Sequence, residues 1–344
     1  MSKNMWCSDF CVENNDIWMV HGAMNSLIHY DIISKKTDVL AVIPGEPLIK
    51  DFLFIRLFKY LGFLYLIPCN ASSIYIYDIE KKELVYKYKL SENKFEERLF
   101  SDACIIGKKI YCVPNTTGKD IVCINLVEPF NISRIEFDCG AYNKMIINHC
   151  VGDDRFIYAV CPSSNNIMMI DVKEKITDKL EVSRLTGISG IAINEGKLFL
   201  SSAMDKKIVI INKDNKKIVR EQILEPVSGA ITALDGNKLW VDSGDIVAYI
   251  LDIQTGEIVK INKLFGEEME KVAYYISGPA YFNGGNLVYF DRCISAITVF
   301  NGADWKIYPV EIDITFNRED FLNNHEIILE NNCFKIKKWI DLIN

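Results

Sequence analysis

Side chains that can do acid–base or ion-pairing chemistry recur at one place in the sequence pattern of this chain. Asp9, Arg56, Asp102 and His149 follow one another at intervals of 46 to 47 residues. An imidazole beside a carboxylate can act as general acid and base, so His149 with Asp102 or Asp9 is the candidate catalytic group. Arg56 is a candidate ligand-binding residue, because a guanidinium makes directional, charged hydrogen bonds.

We call this series the column. It continues with three glycines, if the turn after the last two is two residues longer: Gly190, Gly229 and Gly278. In one interpretation, the charges orient a polar ligand in an asymmetric pocket, and the glycines let its bulk or its backbone approach closely. In the other, the Asp and Ser residues cap turns, Arg56 pairs with a neighbouring Asp, and the glycines ease the beginning of each strand. The flanking serines fit both interpretations: Ser8, Ser101, Ser189, Ser228 and Ser277.

Three further candidates for ligand binding come from polar loops between apolar stretches. His21, Asp242 and Arg292 are distinctive side chains in a series otherwise filled by small polar residues. Such loops suit hydrogen bonding to a sugar, a peptide or a protein surface. Solvated loops have the same composition, so the loops alone favour no single ligand.

No motif for a cofactor, a phosphate or a metal ion accompanies these residues. The segment "TTGKD" lacks the spacing of a phosphate-binding loop, and "GISG" at 187–190 lacks the pattern of a nucleophile elbow. The chain has four histidines and 11 cysteines but no C-x-x-C pair. We therefore predict no metal and no cofactor, and we expect buried thiols rather than disulfides.

The elements that must position these residues are copies of one unit, and the copies number seven. Each has an aromatic anchor, and the anchors lie 41 to 49 residues apart: Trp18, Tyr65, Tyr111, Tyr158, Phe199, Trp240 and Tyr289. An Asp or Asn follows each anchor after 12 to 14 residues: Asp31, Asp78, Asn125, Asp171, Asn212, Asp252 and Asn301. This period is typical of the four-stranded blades of a β-propeller.

Alternating apolar residues and Gly, Asn or Asp turns place four antiparallel strands, A to D, in each copy. The fold class is therefore all-β, a seven-bladed β-propeller over residues 1–310. The Asp or Asn after strand C is interpreted as a turn former that bonds to nearby backbone. Residues 311–344 are predicted to be a C-terminal extension, either a hairpin with a short helix or an incomplete eighth blade.

Two copies, "FLYLIPCNASSIYIYDIEKK" and "FIYAVCPSSNNIMMIDVKEK", resemble the repeat of the bacterial YVTN (YncE-like) β-propellers. The shared features are an apolar "LYV", a polar loop, an apolar strand, then "ID" and a turn. The resemblance covers about residues 8 to 310, although Asn replaces the Asp in three copies and "TG" is kept only in "DIQTGE". It implies an architecture, and propellers of this kind have diverse roles.

Composition argues against several kinds of partner. The 344 residues carry a net charge of −7 without a long basic run, so neither nucleic acid nor an anionic membrane is an expected partner. The most apolar stretch, 52–68, contains Arg56, Lys59 and Gly62, which favours two strands around a turn over a membrane helix. The first residues lack the apolar stretch of a secretory signal, and we expect a cytoplasmic monomer.

In a propeller, the B–C loops and the D–A connections lie on one face around the central channel, which is where ligands are expected. The main hypothesis is a non-catalytic recognition scaffold that binds a protein, a peptide or a glycan at this face. The alternative is a small-molecule hydrolase, lyase or lactonase that uses His149 or His21 with Asp9 or Asp102. A third possibility is assembly through an edge strand or the C-terminal segment.

Overall fold

Each of seven antiparallel sheets is built from four consecutive strands, and we number these sheets as blades 1 to 7. The computed structural model describes residues 7–21, 25–46, 53–91, 98–117, 119–137, 145–162, 164–202, 204–223, 230–242, 247–262, 280–291 and 295–311. The predicted fold class is confirmed: the chain is an all-β, seven-bladed β-propeller, and the described residues contain no helix. The predicted extension lies outside the described residues beyond residue 311.

The chain divides into two compact units, and the first comprises Met1–Leu99 with Gly278–Asn344. It contains blade 1 (β1 Cys7–Glu13, β2 Asp16–His21, β3 Ser26–Asp31, β4 Lys36–Val42), blade 2 (β5 Phe54–Tyr60, β6 Phe63–Pro68, β7 Ser73–Asp78, β8 Glu83–Lys89) and blade 7 (β25 Ala280–Asn283, β26 Asn286–Asp291, β27 Ala296–Phe300, β28 Trp305–Pro309). Phe10 and Tyr30 pack with Phe290 between blades 1 and 7. Trp18 packs with Tyr75 between blades 1 and 2, so adjacent blades cover the apolar faces that each leaves open.

The second unit is Phe100–Ser277 and contains the other four blades. These are blade 3 (β9 Phe100–Ile106, β10 Lys109–Pro114, β11 Ile121–Asn125, β12 Ile132–Ile135), blade 4 (β13 His149–Gly152, β14 Phe156–Val160, β15 Asn166–Asp171, β16 Ile176–Glu181), blade 5 (β17 Ile188–Asn194, β18 Lys197–Ser202, β19 Lys207–Asn212, β20 Ile218–Ile223) and blade 6 (β21 Ala230–Asp235, β22 Lys238–Asp242, β23 Val247–Asp252, β24 Ile258–Asn262). Three apolar clusters join blades 3 and 4, blades 4 and 5, and blades 5 and 6.

The sequence markers have the structural roles that the repeat predicts. All seven aromatic anchors lie in strand B and are buried. Six of the seven Asp or Asn markers accept backbone N–H groups of the C–D turn that follows; the oxygen of Asp171, for example, accepts from Lys173 at 2.9 Å and from Glu174 at 3.1 Å. The markers therefore close turns, because their side-chain oxygens replace missing backbone acceptors.

Backbone hydrogen bonds bring the B–C loops and the D–A connections together within each unit. Ala71 in a B–C loop donates to Leu53 in a D–A connection at 3.0 Å, and Ile147 in a D–A connection donates to Asn115 in a B–C loop at 3.0 Å. We call the surface that these segments form in each unit its loop face. No helix in the described part of the chain is long and apolar enough to span a membrane.

Candidate functional site

The column is a single register position in the sheets. Its first five members each pair with the strand B residue two places after the anchor: Asp9 with Val20, Arg56 with Ile67, Asp102 with Val113, His149 with Val160, and Gly190 with Ser201. In blade 6, Ala230 pairs with Asp242, which is two places after the anchor of that blade. Gly229 and Gly278 lie outside the described residues.

A β-bulge comes directly before the column position in blades 1, 2, 3 and 5. The extra residue in each bulge is Ser8, Ile55, Ser101 or Ser189. The three serine hydroxyls donate to carbonyl oxygens of strand B, with distances of 3.3 Å to Val20, 3.4 Å to Pro114 and 3.2 Å to Ser201. Because a bulge changes the direction of nearby side chains, it sets the direction in which the column residue points.

The carboxylates of Asp9 and Asp102 point at strand A of the following blade. Oδ2 of Asp9 accepts the N–H of Leu57 at 2.8 Å, and Oδ2 of Asp102 accepts the N–H of Cys150 at 2.9 Å. Both carboxylates belong to residues that are 1% exposed. A buried carboxylate needs such donors to offset the loss of hydration, so these two side chains join blade 1 to blade 2 and blade 3 to blade 4.

A serine makes the corresponding bond from blade 5 to blade 6. Oγ of Ser201 accepts the N–H of Ile231 at 3.1 Å, and Ser201 is the strand B partner of Gly190. A Cβ atom at Gly190 would lie 2.6 Å from the Ile231 nitrogen and 2.7 Å from the Ser201 Oγ. The space beside Gly190 is thus filled by the chain itself, which favours the structural interpretation of this glycine.

Asp9 has two further neighbours with polar side chains. The hydroxyl of Tyr281 in blade 7 donates to Oδ1 of Asp9 at 2.7 Å, and the half-buried guanidinium of Arg56 in blade 2 stabilises the carboxylate charge. Burial nevertheless raises the pKa of Asp9 to about 6, because loss of hydration outweighs the stabilisation by Arg56 and by the hydrogen-bond donors. The structural interpretation of the column expected Arg56 to pair with a neighbouring Asp, and the charge interaction of Arg56 with Asp9 agrees with that expectation.

Asp102 and His149 form a second pair, in the other unit. Nδ1 of His149 lies 3.5 Å from Oδ2 of Asp102, and the histidine side chain is 44% exposed. Oδ1 of Asp102 accepts the N–H of Ala103 at 2.8 Å. Backbone donors hold the carboxylate close to the imidazole, so the two members of the predicted catalytic pair are neighbours in the structure.

The three loop candidates lie in different settings. His21 is the last residue of β2 and is 3% exposed, and burial lowers its pKa to about 4. Its imidazole is therefore neutral at pH 7. Asp242 is the last residue of β22 and is also buried. Both residues therefore end strand B of their blades and do not lie in the loop that follows, where the sequence analysis placed them. Arg292 lies outside the described residues.

The loop face of the first unit contains a buried carboxylate that the sequence did not point to. Glu46 is 2% exposed and accepts the N–H of Ser72 at 2.9 Å, the hydroxyl of Ser72 at 2.7 Å and the hydroxyl of Tyr75 at 3.0 Å. The side-chain amide of Asn25 donates to the backbone carbonyl oxygen of Glu46 at 2.8 Å. These bonds hold Asn25 of blade 1 and the B–C loop of blade 2 against the connection between the two blades.

The thiols and acidic groups of the described residues form no metal-binding cluster. All eight described cysteines are free thiols, and seven of them are buried. Burial raises the pKa of Cys161 to about 11 and that of Cys112 well above its ordinary value. Such thiols are poor nucleophiles at neutral pH, so Cys161 and Cys112 are suited to packing rather than to nucleophilic chemistry.

Three contributors to these clusters were missed from sequence. Ser201 could have been found from the sequence, because the position two places after the anchor is apolar in blades 1 to 4 and polar in blade 5. Tyr281 and Glu46 could not have been found in this way. Tyr281 bonds to a residue 272 positions away in the chain, and Glu46 lies in a connection with no repeated pattern. Contacts of this kind depend on which strands become neighbours.

Several solved protein structures have a fold similar to that of this chain. No protein family and no curated protein sequence matches it. The solved structure of streptogramin B lyase is 17% identical over 89% of this chain and 94% of that one, with a TM-score of 0.63. The WD40 repeats of RRP9 are 12% identical over 83% and 87%, with a TM-score of 0.62, and Hsv2 of Kluyveromyces lactis is 12% identical over 88% and 98%, with a TM-score of 0.57. At such identities the likeness establishes the β-propeller fold and no activity.

Proposed function

We propose that this chain is a non-catalytic recognition protein that binds a protein, a peptide or a glycan through its loop face. The observation that carries the proposal is the use of the column aspartates. Oδ2 of Asp9 and Oδ2 of Asp102 each accept a backbone N–H of the next blade. The carboxylates of Asp9 and Asp102, which the sequence analysis named as candidate catalytic groups, therefore bond one blade to the next.

Hydrogen bonds that fix the conformation of the loops support the same proposal. The Glu46 network fixes the B–C loop of blade 2 through three donors from Ser72 and Tyr75. In the other unit, Thr117 donates its N–H to the carbonyl of Met145 at 2.9 Å, and its hydroxyl accepts the N–H of Met145 at 2.8 Å. A loop that is ordered before binding loses less conformational entropy when a ligand binds, so more of the contact energy becomes affinity.

Two exposed apolar side chains on the loop face of the second unit make the proposal testable. Met204 in the B–C loop of blade 5 is 71% exposed, and Ile146 in the connection to blade 4 is 58% exposed. We expect the full chain to bind members of a peptide library or a glycan array, and Met204→Ser or Ile146→Ser to weaken that binding by about two- to tenfold. Ile33→Ser is the matched control, because Ile33 is 73% exposed but lies in a C–D turn.

The proposal fails if the wild-type chain binds no member of either collection above background. It also fails if Ile33→Ser weakens binding as much as the loop-face substitutions do. The finer assignments belong to the same proposal: blades of the YVTN type, a bacterial source and a cytoplasmic location. The repeat of anchor, polar loop and Asp or Asn turn supports the first of these.

A second candidate function is a small-molecule hydrolase, lyase or lactonase, and the Asp102–His149 pair favours it. Nδ1 of the partly exposed imidazole lies 3.5 Å from a buried carboxylate oxygen, and a histidine beside a carboxylate can serve as a general base. With p-nitrophenyl acetate, a simple lactone and streptogramin B as probes, an enzyme would lose about 100-fold or more of its turnover in His149→Gln. His29→Gln is the matched control, because His29 also faces a carboxylate, that of Asp16 at 2.7 Å.

The melting temperature separates a catalytic loss from unfolding, and it is expected to stay nearly unchanged in both variants. Turnover that survives His149→Gln, or that falls equally in His29→Gln, rejects the catalytic function. No turnover of any probe by the wild-type chain, together with binding in the arrays, favours the recognition protein.

A further inference from the structure

We infer that Asp9 is a protonation-sensitive clasp between blades 1, 2 and 7, whose contribution to stability changes between mildly acidic and neutral pH. The inference is independent of the proposed recognition function. It concerns one carboxyl group that is hydrogen-bonded to two other blades of the same unit. Protonation of this carboxyl group would make the stability of the unit depend on pH.

The clasp consists of one acceptor group and donors from three strands. Asp9 is 1% exposed. Its Oδ2 accepts the N–H of Leu57 from β5, and its Oδ1 accepts the hydroxyl of Tyr281 from β25. The backbone N–H of Phe10 in β1 also stabilises the carboxylate. Because the donors come from three blades, protonation of the carboxylate changes hydrogen bonds in all three.

The titratable and charged groups that face this carboxyl come from each of these strands. Arg56 in β5 supplies positive charge, and Tyr281 in β25 supplies a neutral hydroxyl. Cys11 lies on the same strand as Asp9, and burial with the nearby carboxylate raises its pKa above the ordinary range. Burial likewise raises the pKa of Tyr281. At pH 4 to 8, Asp9 is therefore the member of this set that changes its charge.

Protonation alters the bonds of the clasp in a defined way. A proton on Oδ2 would face the N–H of Leu57, which is itself a donor, so Oδ1 is the favoured site. The new O–H of Asp9 then donates to the oxygen of Tyr281, and the tyrosine hydroxyl turns away from its acceptor. Arg56 loses its anionic neighbour, while the bond from Leu57 to Oδ2 remains.

The direction of the pH effect follows from the raised pKa of Asp9. Its value of about 6 in the folded chain exceeds the ordinary value of 3.8. A carboxyl group of this kind binds its proton more tightly when folded, so its contribution to stability is fully present below pH 3.8 and is lost as the pH rises through about 6. The contribution of Asp9 therefore favours the folded state more in acid than at neutral pH.

Equilibrium urea unfolding of the full chain between pH 4.5 and 8 tests the inference. We compare wild type with Asp9→Asn, which keeps an acceptor for Leu57 but cannot ionise. The ratio of the unfolding constant of wild type to that of Asp9→Asn is expected to rise roughly thirtyfold from pH 4.5 to pH 8. A ratio that stays constant within about twofold, or that rises towards acid, overturns the inference.

A second variant keeps the test decisive if Asp9→Asn does not fold. Tyr281→Phe removes a donor to the ionised carboxylate at pH 8 and the acceptor of the neutral carboxyl O–H at pH 4.5. Because a hydrogen bond to a charged group is stronger than a neutral one, the destabilisation relative to wild type should be larger at pH 8 than at pH 4.5. Tyr308→Phe in the same blade is the matched control, because Tyr308 packs against the same apolar cluster as Tyr281, whereas the tyrosine that bonds to Asp9 is Tyr281. Equal pH dependence in the two tyrosine variants overturns the inference.

Discussion

Gly190→Ala is expected to lower the free energy of unfolding by about 3–5 kcal/mol. The added Cβ would lie 2.6 Å from the nitrogen of Ile231 and 2.7 Å from Oγ of Ser201. The first of these atoms belongs to the backbone of the next blade, so the clash is relieved only if strands move apart. Movement of that kind also breaks the 3.1 Å bond between Ser201 and Ile231.

The measurement is equilibrium urea unfolding, with Gly62→Ala as the control. Gly62 has a φ of 82° and no atom within 4 Å of the added Cβ, so its substitution costs about 1 kcal/mol from backbone conformation alone. Ser201→Ala removes the hydrogen bond without adding an atom and should cost about 1–3 kcal/mol. If Gly190→Ala costs no more than Gly62→Ala, the strands are not packed as closely as the structure places them.

Glu46→Ala is expected to lower the free energy of unfolding by about 3–5 kcal/mol. The substitution leaves the N–H and the hydroxyl of Ser72 and the hydroxyl of Tyr75 without their carboxylate acceptor in a buried site. The two hydroxyls each keep a second partner, Oγ of Ser73 at 3.2 Å and the carbonyl oxygen of Pro44 at 3.1 Å. The N–H of Ser72 therefore carries the largest desolvation penalty, about 1–3 kcal/mol, and the loss of the two charge-assisted hydroxyl bonds adds to it. Because the network holds a B–C loop, the amide of Ser72 should also exchange its hydrogen faster.

Unfolding in urea and hydrogen exchange by mass spectrometry measure these two effects. Glu46→Gln keeps one acceptor oxygen and should lose about half as much stability as Glu46→Ala. Glu83→Ala is the control in the same blade, because Glu83 is an exposed strand residue and its substitution should change stability by less than about 0.5 kcal/mol. A loss in Glu46→Ala no larger than that in Glu83→Ala contradicts the role of the network.

The repeat could be predicted from sequence because it depends on local chemistry. Aromatic anchors such as Trp18 and Tyr65 occupy the buried strand of each blade, and turn formers such as Asp171 bond to backbone two and three residues away. These interactions involve residues close in the chain, so periodicity and composition report them directly. The blade count, the strand order and the column register of blades 1 to 5 follow from the same information, whereas in blade 6 Ala230 and not Gly229 pairs with the residue two places after the anchor.

The roles within the column depend on neighbours that the local pattern does not specify. Asp9 and Asp102 occupy equivalent positions, yet Asp9 bonds to a tyrosine 272 residues away, whereas Asp102 lies beside a half-exposed histidine. Sequence reasoning correctly grouped the charged residues, but it could not decide between a pocket and a set of bonds that join blades. The direction of each side chain decides this, and β-bulges set that direction.

Local periodicity is therefore sufficient to specify what kind of blades this chain forms and how many. Whether a side chain such as Asp9, Glu46 or Ser201 faces a ligand or another part of the chain is settled only when the blades pack. Packing brings donors from distant segments within 3.1 Å of these acceptors, and it also removes the water that would otherwise satisfy them. The strength and the pKa of a buried polar group depend on both effects, and neither is encoded within one repeat.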